Sequence, residues 1–381
     1  MRFARMPLEE WFDTHQYTIQ FDIGESAVRT LSLDEIDIDL SRLRLRYGHH
    51  TGGPELRERV AAQYSGLSRE NIVVTNGAAE ALFDIASALL APRDHVIVEH
   101  PNYPSNYEVP RSLGCEVDLL PLRFGDDFRP DLDELERQMT PATKLISLTH
   151  PNNPTGSVIS EGELLRLIEL AERFDCHLIL DETYRDLVYS EPPLPAAASL
   201  SRNAISVSSM SKAFGVPGIR IGWMATQDAE LLENVVAVRE QVSICNSAFG
   251  EAVADAVLSR HHEYVSRARA AIATNLDLLT SWMRARSDLE WVPPAAGVVC
   301  FPRLSSDRIE DPEALYRHLA KDRGTFVIPG RCFEQANHFF RIGFGGEIAE
   351  LGEGLMRLAT AIDTFPDPCR KGETNDRRAA A

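Results

Sequence analysis

The sequence predicts an α/β protein: a three-layer large domain with a mostly parallel sheet between helices, joined to a smaller α+β domain. From about residue 70 to 225, short β-branched runs alternate with amphipathic helical stretches. Several of these runs are apolar without polar alternation, as strands covered on both faces are. Past about Gln241 the pattern turns to long helix, and then to a second set of strand and helix signals. The 381 residues agree with two compact domains at roughly 150 residues each.

In order, residues 1–40 read as an N-terminal arm and part of the small domain. Residues 41–263 form the large domain, 264–366 the C-terminal small domain, and 367–381 a disordered, solvated tail without apolar periodicity. The large-domain strands are IVVT (72–75), HVIVE (95–99), KLISLTH (144–150), HLILD (177–181), NAISVSS (203–209) and RIGWMA (220–225). Helices fit from Ala79 to Leu90 and from Glu161 to Phe174, the second opened by a Ser160/Glu163 capping box ahead of Leu164, Leu167, Ile168 and Ala171. A long helix then carries Ala252, Ala256, Ala270, Ile272, Leu276 and Leu279. The small domain follows: strand 297–303, helix Asp311 to Arg323, strands 325–329 and 338–344, and a last helix from about Glu350 to Ile362.

Net charge −18, with 44% hydrophobic and 25% charged residues, describes an acidic globular protein that repels nucleic acid and anionic membrane. No run approaches the ~18 apolar residues of a membrane span, and Glu9 and Glu10 interrupt the opening, so a cytoplasmic protein is expected. The cysteines at 115, 176, 245, 300, 332 and 369 include no C-x-x-C pair, which argues for reduced thiols. His49-His50 and His261-His262 stand without a nearby carboxylate or cysteine set, and no metal is expected.

Only four lysines occur: Lys144, Lys212, Lys321 and Lys371. Lys212 lies in Ser206-Val-Ser-Ser-Met-Ser-Lys-Ala-Phe-Gly-Val-Pro-Gly-Ile-Arg220, among small hydroxyls and eight residues before an arginine. A desolvated lysine forms Schiff bases with aldehydes, and serines with an arginine fork hold phosphate. Asp181 closes an apolar strand in Leu178-Ile-Leu-Asp-Glu-Thr-Tyr184, where open α/β sheets bind ligands. It reads either as a helix cap or as the partner of a cationic ring. Asn76-Gly77-Ala78-Ala79 turns from a strand into a helix whose free N–H groups form an anion site. His150-Pro-Asn-Asn153-Pro-Thr-Gly makes a rigid turn at another strand end and aims an amide into the crevice.

Taken together, N-N-P-T-G, D-E-T-Y and S-x-S-K with an arginine eight places on resemble the fold type I pyridoxal-phosphate enzymes of the class I/II aminotransferase family, over roughly residues 40 to 365. The resemblance implies pyridoxal 5'-phosphate as cofactor. It makes Lys212 the Schiff-base lysine, Asp181 the partner of the ring nitrogen, and Tyr184 and Asn153 the partners of the ring's phenolic oxygen. It assigns the phosphate to Gly77, Ala78, Ala79, Ser209, Ser211 and Arg220, and stacks Tyr103 on the ring. Tyr47 matches a tyrosine that reaches the neighbouring subunit's phosphate, which implies a homodimer with shared active sites. Arg341 and Gly24, with Asn153, are implied for the substrate carboxylate. Read by itself, Arg341 alternating with Phe340 and Ile342 is an edge-strand surface charge.

Two features depart from the common pattern. Ala78 and Ala79 replace the usual hydroxyl of the phosphate turn, and Gly24-Glu25-Ser26 lacks the G-E-P-x-x-x-x-P form. The latter, with Pro7 to Trp11, Asp186-Leu-Val, Pro192-Pro-Leu and Ile328-Pro-Gly-Arg331-Cys-Phe, is similar to the capreomycidine-synthase-like branch, whose members cyclise a hydroxylated arginine. The expected activity is therefore an aminotransferase of an L-α-amino acid, with that elimination and ring closure as the alternative. In such an enzyme Glu9, Asp22 or Glu25 could pair with a guanidinium, although each reads first as a solvated surface carboxylate. A nicotinamide enzyme is disfavoured by the absence of G-x-G-x-x-G after any strand, and a DNA-binding regulator by the net charge.

Overall fold

A computed structural model describes residues 2–189, 192–305 and 309–365; the tail expected at 367–381 lies outside the described residues. A two-residue strand, β1 (Phe21–Asp22), comes first. Seven more build the central sheet: β2 (Ile72–Thr75), β3 (His95–His100), β4 (Glu116–Pro121), β5 (Thr143–Thr149), β6 (His177–Asp181), β7 (Ala204–Ser209) and β8 (Gly222–Thr226). Their order is β2-β8-β7-β6-β5-β3-β4. The pairings from β7 through β4 are parallel, and β8 runs antiparallel to both β2 and β7.

The unalternating runs reflect two separate cores. Val96 and Val98 of β3 face one core and Ile97 the other; Ile179 of β6 faces the first, Leu178 and Leu180 the second. Successive side chains of a strand point to opposite faces, so both sets are apolar where helices cover both faces. Helices Ala78–Leu89 and Ala229–Glu240 close the first face through Leu82, Ile85, Leu231 and Val235. Helices Leu132–Gln138 and Glu161–Arg173 close the second, and the Ser160/Glu163 capping box forms as expected.

Two sequence expectations change. The stretch 116–121 is absent from the expected strands, yet it is β4, at the sheet edge, where only Leu120 is fully buried and Glu116-Val-Asp-Leu119 alternates instead of running apolar. The last run begins at Gly222 rather than 220, because Arg220 takes a left-handed conformation at φ 54° that a strand does not contain.

The remaining strands are β9 (Leu289–Glu290), β10 (Val299–Cys300), β11 (Arg303–Leu304), β12 (Thr325–Phe326), β13 (Ile328–Pro329) and β14 (Phe340–Gly343). The stretches expected as single strands at 297–303 and 325–329 are each broken into two short pieces. β14 lies between β10 and β13, antiparallel to both. β1 pairs in parallel with β12, so the N-terminal arm joins the C-terminal strands. The helix Pro7–His15, started by a proline at its first turn, is bolted to the same region by the Trp11 indole, which donates to Val327 O at 3.0 Å. The helix His261–Arg284 runs unbroken through the boundary expected at 263/264. Among the described residues no helix is long and apolar enough to cross a membrane.

Candidate active site

The C-terminal ends of β3, β5, β6 and β7 open into one cavity of about 600 Å³, roofed by the helix Pro7–His15. Of the site residues expected from sequence, Ala78, Ala79, Tyr103, Asn153, Asp181, Tyr184, Ser209, Ser211, Lys212, Arg220 and Arg341 line it.

The anion end is built from backbone. Gly77, at φ 82°, caps the helix Ala78–Leu89 without a side-chain cap, which leaves its first N–H groups free. A Cβ on Gly77 would lie 2.5 Å from Arg220 Nη2, and one on Gly222 would lie 2.5 Å from the Gly77 carbonyl carbon. Glycine at both places is what lets the guanidinium and the helix start share one cradle. Arg220 holds its left-handed backbone beside them, an uncommon conformation for a side chain of that size, and its Nη1 donates to Pro217 O at 3.0 Å. A phosphate suits this donor set.

At the opposite end stands Asp181. One oxygen, Oδ1, accepts the backbone N–H and hydroxyl of Thr183; Oδ2 has no protein donor among the described residues. Burial pushes its carboxyl up, while the Thr183 hydrogen bonds and Lys212 oppose the shift. A cationic ring nitrogen is the partner that such a carboxylate lacks. On the same cavity, Lys212 Nζ donates to Glu25 Oε1 at 3.1 Å and Ser26 Oγ at 3.0 Å. Burial lowers the pKa of this ammonium, but the Glu25 and Tyr184 oxygens outweigh that and raise it. Before a cofactor engages it, the lysine is a paired cation rather than the neutral amine expected from desolvation alone.

Arg341 overturns the edge-charge reading. It sits on the middle strand of three, is 1% exposed, and donates through Nη1 to Asn153 Oδ1 at 2.9 Å and through Nη2 to Gly24 O at 2.7 Å; Nε has no hydrogen-bond partner among the described residues. Asn153 is therefore oriented with its oxygen on the arginine. Tyr184, expected on the cofactor's phenolic oxygen, donates instead to Ser26 O at 3.0 Å. Gly24 is outside the cavity lining, and its N–H is already donated to Asp22 Oδ1 at 2.8 Å. Gly77 contributes shape rather than lining. Tyr47 is 83% exposed and does not reach the cavity of its own chain.

Sequence reading missed Glu99. It is 3% exposed at the end of β3, and its Oε1 accepts from Thr149 N at 2.6 Å and Asn152 Nδ2 at 2.9 Å, tying β5 to the turn that carries Asn153. Burial pushes its carboxyl up to about 8, against the pull of those donors. A buried acid raised from its ordinary 4.5 stabilises the fold below pH 4.5, and that contribution fades as pH climbs to about 8. Glu99→Gln keeps the acceptor and removes the charge, so its melting temperature is expected to depend less on pH than the wild type's between about 4.5 and 8. Parallel Tm–pH curves would refute this. The helix Pro7–His15 contributes more than its sequence suggests: Leu8, Glu9 and Phe12, at helical spacing, line the cavity, and Tyr103 donates its hydroxyl to Glu9 Oε1 at 3.0 Å. Of the histidine pairs, His50 faces Glu240 and His261 faces Asp186, and among the described residues no group of three or more side chains could hold a metal.

Comparison with known proteins gives a consistent set of matches. The family model for aminotransferase class I and II matches residues 18–358. Capreomycidine synthase of Streptomyces vinaceus is 30% identical over 377 residues, 96% of each chain. Among solved structures, a PLP-dependent aminotransferase from Streptococcus suis superimposes with a TM-score of 0.90 at 30% identity, over 96% of this chain and 100% of that one. A PLP-dependent cyclase, OrfR, gives 0.88 at 29% identity, over 95% and 98%.

Proposed function

This chain belongs to the class I and II aminotransferases, a pyridoxal-phosphate-dependent family of fold type I, and from that premise we propose that it transfers the amino group of an L-α-amino acid through Lys212. The observation that carries the reading is that Lys212 shares one cavity with an anion cradle and a buried carboxylate that lacks a donor on one oxygen among the described residues. Bound there, pyridoxal phosphate supplies an aldehyde and an electron sink. Ala78, Ala79, Ser209, Ser211 and Arg220 hold its phosphate, and Asp181 keeps the ring nitrogen protonated. Tyr103 packs on the ring face. Arg341 would clamp the substrate carboxylate, and Lys212, as a free amine, would take the Cα proton and carry it to the cofactor's C4′, across the substrate nitrogen. Tyr47 belongs to the site of a second copy in a homodimer, and the protein works in the cytoplasm.

A second reading, elimination and ring closure on a hydroxylated arginine, is favoured by the acidic side chains Glu9, Asp13 and Glu25 on the cavity wall and by the similarity to capreomycidine synthase. Near-ultraviolet and visible absorbance of the purified protein separates the two. Conversion of the cofactor to its amine form with L-glutamate indicates transamination. A cyclic product from hydroxyarginine without that conversion indicates the cyclase, and no cofactor band even after adding pyridoxal phosphate overturns both.

A further inference from the structure

We propose that Glu25 is the carboxylate that receives the substrate's ammonium group and takes its proton, a role that rests on the reading of Lys212 as the Schiff-base lysine. The structure holds a primary ammonium in just that arrangement: Lys212 Nζ lies 3.1 Å from Glu25 Oε1 and 3.0 Å from Ser26 Oγ. When the lysine nitrogen moves onto the cofactor aldehyde, the two acceptors lose that ammonium donor, and Glu25 Oε1 keeps only the Ser26 N–H. An incoming α-ammonium has the same shape and charge as the group that has gone.

The acceptors are rigidly placed. Asp22 Oδ1 accepts the N–H groups of Gly24 and Glu25 at 2.8 and 2.9 Å, and the Ser26 N–H donates to Glu25 Oε1 at 2.7 Å. The segment lies so close on β14 that a Cβ at Gly343 would stand 1.7 Å from Glu25 O. The same strand carries Arg341, whose guanidinium donates to Gly24 O at 2.7 Å. An ammonium acceptor and a carboxylate clamp thus stand side by side, matching an amino acid that bears both charges on one carbon. Burial pushes the Glu25 carboxyl up, but Lys212 and Arg341 outweigh it and hold it below the ordinary carboxylate value, so it meets an incoming ammonium as an anion. The proton passes from the substrate nitrogen to Glu25 Oε1, leaving a neutral amine that attacks and a neutral acid. Glu25 keeps that proton while Lys212, displaced as a free amine, carries the Cα proton, and passes it to Lys212 Nζ only after that transfer is complete.

The test uses the protein loaded with pyridoxal phosphate, as wild type, Glu25→Gln and Glu25→Asp, titrated by absorbance and assayed across pH. In Glu25→Gln the proton on the lysine-bound nitrogen is expected to leave at least about tenfold more readily, one pH unit lower. kcat/KM is expected to fall about 10²-fold near neutral pH and to recover at high pH, where the substrate amine is already free. Glu25→Asp restores part of both. A Glu25→Gln protein with the wild-type spectral titration and an unchanged shape of pH profile overturns the role of Glu25 while leaving Lys212 in place. A wild type that forms no lysine-bound cofactor band overturns both.

Discussion

Lys212→Ala is expected to lower kcat by about 10⁴-fold or more on any amino acid substrate and to abolish the lysine-bound cofactor band. The substitution removes two functions at once: the covalent anchor of the aldehyde and the base that carries the Cα proton. No other lysine can replace it. Lys144 is exposed on β5, Lys321 is exposed on the helix Pro312–Arg323, and Lys371 lies beyond the described residues. The fold should survive, since the side chain lines an open cavity and its partners keep other hydrogen bonds: the Ser26 N–H donates to Glu25 Oε1 and Tyr184 donates to Ser26 O. A melting temperature within a few degrees of wild type, with no band and no turnover, is the expected result. Retained turnover would rule out Lys212 as the anchor.

Arg341→Leu should lower kcat/KM by roughly 30- to several-thousand-fold, the range that follows from about 2–5 kcal/mol for removing one partner of a buried, hydrogen-bonded charge pair. The guanidinium is fully enclosed and pre-aimed by Asn153 and Gly24, so little ordering is left to occur when a carboxylate arrives. Arg341→Lys offers a single point charge in place of a planar fork and should recover only part of the loss. The comparison that isolates the clamp uses the matching amine without a carboxylate. Wild type and Arg341→Leu should process that amine at similar rates, and an equal loss on both compounds would show that Arg341 serves the fold instead.

How much of the fold and the site is legible in the sequence depends on whether a residue's neighbours along the chain are also its neighbours in space. Lys212, Ser209, Ser211 and Arg220 sit in one short segment, and their grouping alone points to phosphate and Schiff-base chemistry. The buried strands are readable for a similar reason, since both faces are apolar and no polar alternation hides them. Arg341 is not readable alone, because its flanking phenylalanine and isoleucine are equally compatible with an edge strand; only the pairing of β14 with β10 and β13 decides the matter. Glu99 goes unnoticed because its three donors come from residues 102, 149 and 152. β4 escapes because Glu116 and Asp118 interrupt its apolar residues, which its half-covered place at the edge allows.

The pairing of β1 with β12 also dictates when the enzyme becomes an enzyme. Phe21 has to wait for Thr325, and Trp11 for Val327, before either finds its hydrogen-bonding partner. At about 5–20 residues per second, a ribosome needs roughly 15–60 s to make the intervening stretch of about 300 residues. Through that interval the large sheet can form, with Lys212 and the anion cradle in place and residues 26–31 able to reach Lys212, Tyr184 and Gly215, while residues 21–25 still lack β12 and β14 on their other side. The reactive centre is therefore completed only as the last strands leave the ribosome, and a nascent chain that stalls before residue 340 holds a cofactor cradle with no means of gripping a substrate.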